Sequence, residues 1–248
     1  MSTREVAMRV MTRIATHGRV PRTIVVAAHG TRDPAGVAVA HQLVDALRDR
    51  PHGSEVLLGF VDVLSPGVCE VVATAPGPVT VVPTFLSSGY HVRVDVPREV
   101  AATNRRDVVI SSALGPHPLV VAAMADRLRE AGWCRDDAVV LAAAGSSDPR
   151  AVADVRAAAC LLSGHVGRRV RVGFVATGAP RVAPLVAGLR AAGEPRVAVA
   201  SWLLAPGLFH RKLDTVGADV VAAPLGAHPA VVARLGHLAG ATAALRTA

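Results

Sequence analysis

The stretch Ile24-Val-Val-Ala-Ala-His-Gly-Thr-Arg-Asp-Pro34 returns as Val139-Val-Leu-Ala-Ala-Ala-Gly-Ser-Ser-Asp-Pro149. Three further matches follow in the same order. Gly59-Phe-Val-Asp-Val-Leu-Ser-Pro66 is answered by Gly173-Phe-Val-Ala-Thr-Gly-Ala-Pro180, and Leu114-Gly-Pro-His-Pro118 by Leu225-Gly-Ala-His-Pro229. Between them, Phe85-Leu-Ser-Ser-Gly-Tyr-His91 corresponds to Leu203-Leu-Ala-Pro-Gly-Leu-Phe-His210 with one inserted residue. Chance can supply one such match but not four in one order, so the chain is written twice.

Each copy opens with a short apolar run rich in Val and Ala, the pattern of a parallel strand covered on both faces. The first half predicts strands at 23–28, 56–60, 79–83 and 107–110, with helices at 36–50, 66–73, 94–103 and 118–131 between and after them. The second half repeats the alternation with strands near 138–143, 169–174, 196–200 and 219–222. Alternating strand and helix implies a right-handed βαβ succession. The predicted fold is therefore α/β, with two similar lobes, each a mainly parallel four-stranded sheet flanked by helices, and a cleft between them. Residues 23–131 form the first lobe and 132–248 the second, with the boundary at 132–137. The repeated turns fall at the carboxyl ends of strands, where open α/β sheets assemble ligand sites.

Composition bounds the function. Hydrophobic residues make up 51% of the chain and aromatics only 3%, so Val, Ala and Leu must build the core. Charged or small residues interrupt every apolar run well short of the roughly 20 residues that span a bilayer, which argues against a membrane protein. Residues 1–22 carry Arg4, Arg9, Arg13, Arg19 and Arg22 against Glu5 without a secretory apolar block, and read as a basic tail in which Met8 and Met11 are alternative starts. Cys69, Cys134 and Cys160 are odd in number and far apart, which fits neither a disulfide framework nor a CxxC zinc or iron–sulfur site and points to a reducing cytoplasm. The net charge of +8 favours acidic partners. Basic residues are scattered and aromatics few, so nucleic acid is a poor candidate and a small anionic ligand a better one.

The segment His29-Gly-Thr-Arg-Asp-Pro34 after a strand, together with the long motif Pro83-Thr-Phe-Leu-Ser-Ser-Gly-Tyr-His-Val-Arg-Val-Asp-Val-Pro97, resembles the sirohydrochlorin chelatases, the class II chelatases. The resemblance covers about residues 23–238 as two chelatase-like units. It implies insertion of a divalent metal substrate, Fe²⁺, Co²⁺ or Ni²⁺, into the polycarboxylate tetrapyrrole sirohydrochlorin, on the way to siroheme or cobalamin, with no organic cofactor. It also implies that His29 and His91 handle metal and pyrrole protons. Neutral imidazole suits both tasks, being a ligand for first-row metals and a base near neutral pH. Two imidazoles leave coordination positions open, whereas a closed four-ligand site would retain the ion. Asp62 stands where relatives commonly carry glutamate, which makes it a third, shorter-armed candidate.

Other positions carry weaker expectations. Gly30 and Gly89 admit either close approach to a flat macrocycle or an ordinary turn. Arg32, Arg93 and Arg98 offer guanidinium groups to the carboxylates of sirohydrochlorin, or are simply solvated. His117 and His228 in twin Gly-x-His-Pro turns read as helix caps. Ala144 replaces His29 and Ala176 replaces Asp62 in the second copy, and His210 alone keeps a metal-ligand type. The first lobe is thus expected to carry the chemistry while the second closes the cleft, presenting His210 from across it. Fusion of the lobes favours a monomer. Two rival readings share these residues: a non-catalytic metal or tetrapyrrole carrier, and a histidine phosphatase, which lacks support because Ala28 precedes His29 where an arginine is needed.

Overall fold

A computed structural model describes residues 22–51 and 53–244; the basic tail expected over 1–22 lies, apart from Arg22, outside the described residues. In the first half, β1 (Thr23–Ala28), β2 (Glu55–Phe60), β3 (Val79–Pro83) and β4 (Val108–Ile110) form a parallel sheet in the order β2-β1-β3-β4. In the second, β5 (Ala138–Gly145), β6 (Val170–Thr177), β7 (Val197–Trp202) and β8 (Val220–Val221) repeat the arrangement as β6-β5-β7-β8. Helices α1 (Pro34–Arg48), α2 (Val68–Thr74), α3 (Val96–Ala101) and α4 (Pro118–Glu130) belong to the first half, and α5 (Pro149–Val166), α6 (Val182–Ala191), α7 (Leu208–Arg211) and α8 (Pro229–Ala244) to the second. Cis peptide bonds at Ser65–Pro66 and Ala179–Pro180 mark matching places in the two copies.

The period-two alternation of the strands sorts their side chains into layers. Val25, Ala27, Val79 and Val81 face outward onto Val68, Val71 and Val72 of α2 and Val96 of α3. Ala138, Val140, Val197 and Val199 do the same in the second half, against Val182, Val186 and Leu189 of α6. The opposite faces, with Ile24 and Val26 on one sheet and Val139 and Leu141 on the other, enter a single core that runs through both halves. Its middle layer is built by α1, α4, α5 and α8. On α1, for example, Val39, Leu43, Val44 and Leu47 recur at helical spacing and are all buried.

The last helix of each half crosses over. Helix α4 packs on β7 of the second sheet, and α8 packs on β3 of the first, while α4 and α8 also lie against each other. Reciprocal hydrogen bonds fasten the exchange: Arg127 of α4 donates to the Leu225 carbonyl and Arg234 of α8 to the Leu114 carbonyl, both at 3.2 Å. The twin turns start these helices as expected, since His117 Nδ1 accepts from Leu119 N and His228 Nδ1 from Ala230 N. A cap of this kind needs a neutral ring. Burial first, then the neighbouring Arg234 and His237, hold His117 below the ordinary imidazole range.

Excising residues 1–131 would leave α4 without β7 beneath it and the inner face of the first sheet without α8. The isolated half should therefore self-associate by pairing two such surfaces, or stay largely unfolded when dilute. Sedimentation of this fragment checks this; a stable, folded monomer at micromolar concentration would contradict the exchanged packing.

Candidate active site

The strand order reverses between β1 and β3, so the loops leaving these neighbouring strands diverge and open a crevice at their carboxyl ends. His29 follows β1 and His91 lies beyond β3, and this brings together two residues far apart in sequence. Their Nε2 atoms are 3.1 Å apart and their rings meet edge-on, with centroids separated by 4.5 Å. Phe85 stacks against His91 with ring centroids 5.8 Å apart.

Hydrogen bonding sets what each ring presents. His29 Nδ1 lies 3.0 Å from the carbonyl of Gly30, and His91 Nδ1 lies 2.7 Å from Asp95 Oδ2. Carbonyl and carboxylate oxygens only accept, so both Nδ1 atoms are the donors, and in the neutral rings both Nε2 atoms carry lone pairs. Two lone pairs facing each other at this distance call for an electrophile. With metal–nitrogen bonds of about 2.1 Å, the 3.1 Å separation corresponds to a ligand–metal–ligand angle of roughly 95°, that of adjacent positions on an octahedron.

The surrounding cleft has a volume of about 620 Å³ and is walled by both halves. Its lining is apolar apart from imidazoles, hydroxyls, the indole N–H of Trp202 and backbone. Every Phe, Tyr and Trp of the chain except Trp133 contributes: Phe60, Phe85, Tyr90, Phe174, Trp202 and Phe209. Tyr90 and Phe209 occupy corresponding places in the two copies, just before His91 and His210, and stand exposed at the mouth. Scarcity of aromatics, which weighs against base stacking, here coincides with their concentration at one place. Composition gives no signal of that.

Backbone geometry explains the repeated glycine after β1. Gly30 has φ +94°, and a Cβ there would come within 2.0 Å of the Asp62 carbonyl; Gly145 has φ +100° and the same conflict with Thr177. Both glycines are therefore required by the close approach of adjacent loops, which Asp62 N closes by donating to the His29 carbonyl at 2.9 Å. Gly89 differs, because an added Cβ would make only an ordinary contact with Ala151. It lines the cleft, and no packing within the chain demands glycine there.

Several expected site residues are engaged elsewhere. The Asp62 carboxylate accepts from Val63 N at 2.7 Å, outside the cleft wall, and does not join the histidines. No group of three His, Cys, Asp or Glu side chains among the described residues closes around a metal. His210 lines the cleft, yet its Nε2 donates to the Ala222 carbonyl at 3.1 Å and it makes no contact with the pair. Arg32 is exposed and has no described partner. Arg93 crosses between the halves to Asp148 Oδ2 at 3.2 Å, and Arg98 meets Asp95 Oδ1 at 2.9 Å. None of the three arginines forms the cleft wall.

Asp95 went unassigned in the sequence. The predicted helix began at 94, whereas the chain already turns as a π-helix over His91–Asp95, with Val96 N bonded to the His91 carbonyl. Pro97, which has no N–H to continue the α-type ladder, follows directly. The spacing of His91 and Asp95, four residues apart, was the available signal.

Arg93–Asp148 has a counterpart. Asp33 Oδ2 pairs with Arg211, again between halves, and Asp33 and Asp148 are matching N-caps of α1 and α5. A third bridge runs from Ser88 N to Asp154 Oδ2 at 2.7 Å.

Fold and site together define a two-lobed α/β protein with an open imidazole pair in the interlobe cleft. The sequence profile of the CbiX family matches residues 23–131 and 138–239, one copy in each half, and the chain belongs to that family. Among solved structures, SirB from Bacillus subtilis with Fe³⁺ superposes with a TM-score of 0.79 at 22% identity, covering 92% of this chain and 97% of that one. The sirohydrochlorin chelatase SirB from Bacillus subtilis subspecies spizizenii, in complex with cobalt, gives 0.75 at 21% identity over 90% of this chain and 96% of its own. CbiX, the terminal enzyme for biosynthesis of siroheme in denitrifying bacteria, gives 0.63 at 18% identity, with coverage of 89% and 98%. At these identities the likeness is one of fold. No curated protein matches the sequence.

The hydrogen bond to Arg211, followed by the bond from Ala35 N, holds the Asp33 carboxyl below its ordinary value of 3.8. A depressed carboxyl contributes stability that is present above that value and lost as pH falls through the lower folded one. Asparagine caps a helix as well as aspartate does, so Asp33→Asn removes the charge pair and keeps the cap. The variant should unfold at slightly lower urea than the parent at pH 7, and the deficit should shrink as pH falls below the ordinary carboxylate value and through the lower folded one. A deficit that stays constant as pH falls would show that the pair is not the cause.

Proposed function

We propose that this chain is a sirohydrochlorin chelatase that inserts a divalent metal, Fe²⁺ or Co²⁺, into sirohydrochlorin. The observation that carries the reading is the pair of Nε2 atoms 3.1 Å apart, each ring fixed by a donor bond at its far nitrogen, in the lining of a largely apolar cleft. A metal substrate held by His29 and His91 in adjacent positions keeps its other positions for water and incoming ring nitrogens. As the macrocycle takes the ion, two pyrrole N–H protons leave, and the vacated imidazoles are placed to receive them. Membership of the CbiX family supports this reading, as do the iron- and cobalt-bound structures of similar fold.

The aromatic walls suit a flat macrocycle, and Tyr90 and Phe209 at the mouth are positioned to lie against its faces. Net positive charge draws in the polycarboxylate, with Arg32 free to receive it and Arg93 and Arg98 able to exchange their aspartate partners for substrate carboxylates. The first lobe, 23–131, supplies the metal chemistry. The second, 132–248, closes the cleft and adds His210 as an accessory ligand through Nδ1. The enzyme works in the cytoplasm as a monomer without an organic cofactor, and its product leads to siroheme when the metal is iron and toward cobalamin when it is cobalt.

His29→Ala and His91→Ala should each lower metallation by at least about tenfold while leaving the fold intact, because neither side chain belongs to the buried core. Asp62→Asn and His210→Ala should lose less. Absorbance-followed metallation with excess sirohydrochlorin checks this and separates an enzyme from a carrier, which would stop after one equivalent. Near-normal turnover in both histidine variants would end the assignment. Titration with the metallated product should saturate at one equivalent per chain, whereas two would refute a single interlobe site.

A further inference from the structure

We propose that Asp95 is a positioning residue that fixes which nitrogen of His91 faces the metal. The inference rests on the reading of His91 as a metal-handling residue, and goes beyond it by naming the group that makes it one. Asp95 is a charged residue left only 7% exposed, and a carboxylate tolerates such burial only when its oxygens are engaged. Both are: Oδ2 accepts a hydrogen bond from His91 Nδ1 at 2.7 Å, and Oδ1 accepts one from the Arg98 guanidinium at 2.9 Å. The π-turn over His91–Asp95 carries both groups, so the bond is built into the local backbone rather than borrowed from a mobile loop.

The consequence is a choice of tautomer. With Nδ1–H donated to Asp95, the neutral ring of His91 can show only a lone pair at Nε2, the atom 3.1 Å from His29. Without the carboxylate the proton is free to move to Nε2, where it would point at His29 and block the site. Arg98 in turn neutralises and orients Asp95. A carboxylate behind a ligating imidazole also increases its basicity, and loss of such a partner typically costs about 10- to 100-fold in metal affinity.

The test uses the full chain and Co²⁺ alone, so that its outcome does not depend on sirohydrochlorin. In the metal-free protein at alkaline pH, long-range ¹H–¹⁵N spectra should show His91 as the Nδ1–H tautomer, and Asp95→Asn should move it toward Nε2–H. Asp95→Asn should weaken Co²⁺ binding, followed by the visible absorption of the bound ion, by about tenfold or more. In a His91→Ala background the same change should cost no more than about twofold, because a residue that acts only through another has no separate effect once that other is gone. Arg98→Gln, which leaves the His91–Asp95 bond in place, should cost less than Asp95→Asn. Finding His91 as Nε2–H in the parent protein, or an equal loss of Co²⁺ affinity with and without His91, would overturn the proposal. Failure to metallate sirohydrochlorin would instead refute the proposed reaction and leave the tautomer result standing.

Discussion

The exchange of terminal helices is the constraint on which the rest of the molecule depends. A parallel sheet must be covered on both faces, and each sheet here obtains half of its inner cover from the other copy, through α4 on β7 and α8 on β3. The two sheets are consequently held at opposite sides of a shared layer of helices, and their strand-end loops open toward a common space. The cleft is a product of this packing. Neither half encloses it alone, since Phe85 and Tyr90 come from one copy and Trp202 and Phe209 from the other.

Once the duplicated scaffold exists, chemistry need be present only once. His29 has Ala144 as its counterpart, and His91 has His210, whose Nε2 is spent on the Ala222 carbonyl. The scaffold features, by contrast, are kept in both copies: the glycine that lets the first two loops touch, the aspartate that caps the following helix, the capping histidine of the last one. What the copies share is geometry, and what distinguishes them is the imidazole pair with the carboxylate behind it.

Most of the fold was legible because it is local. Val- and Ala-rich runs bounded by glycine and proline located all eight strands, and the internal repeat supplied the two halves. The juxtaposition of His29 and His91 was legible as a topological consequence, since both follow neighbouring strands. The exchanged helices were not, because amphipathic periodicity says that a helix is covered and not which sheet covers it. For the same reason sequence cannot show that Asp148 and Asp95 hold Arg93 and Arg98 in the protein alone. Nor can sequence show that the Asp62 carboxylate accepts from Val63 N instead of facing the histidines. Asp95 was missed at the junction where a wide turn replaces regular helix.

Asp33 and Asp148 each carry two loads. One oxygen satisfies the first turn of a helix, at Ala35 N or Arg150 N, while the other reaches an arginine of the opposite lobe. Any widening of the cleft that draws Arg93 or Arg211 away pulls on the same carboxylate that stops α1 or α5 from fraying. Opening of the mouth is thereby mechanically tied to the integrity of two helix ends. Amide exchange near residues 35 and 150 would then report any parting of the lobes.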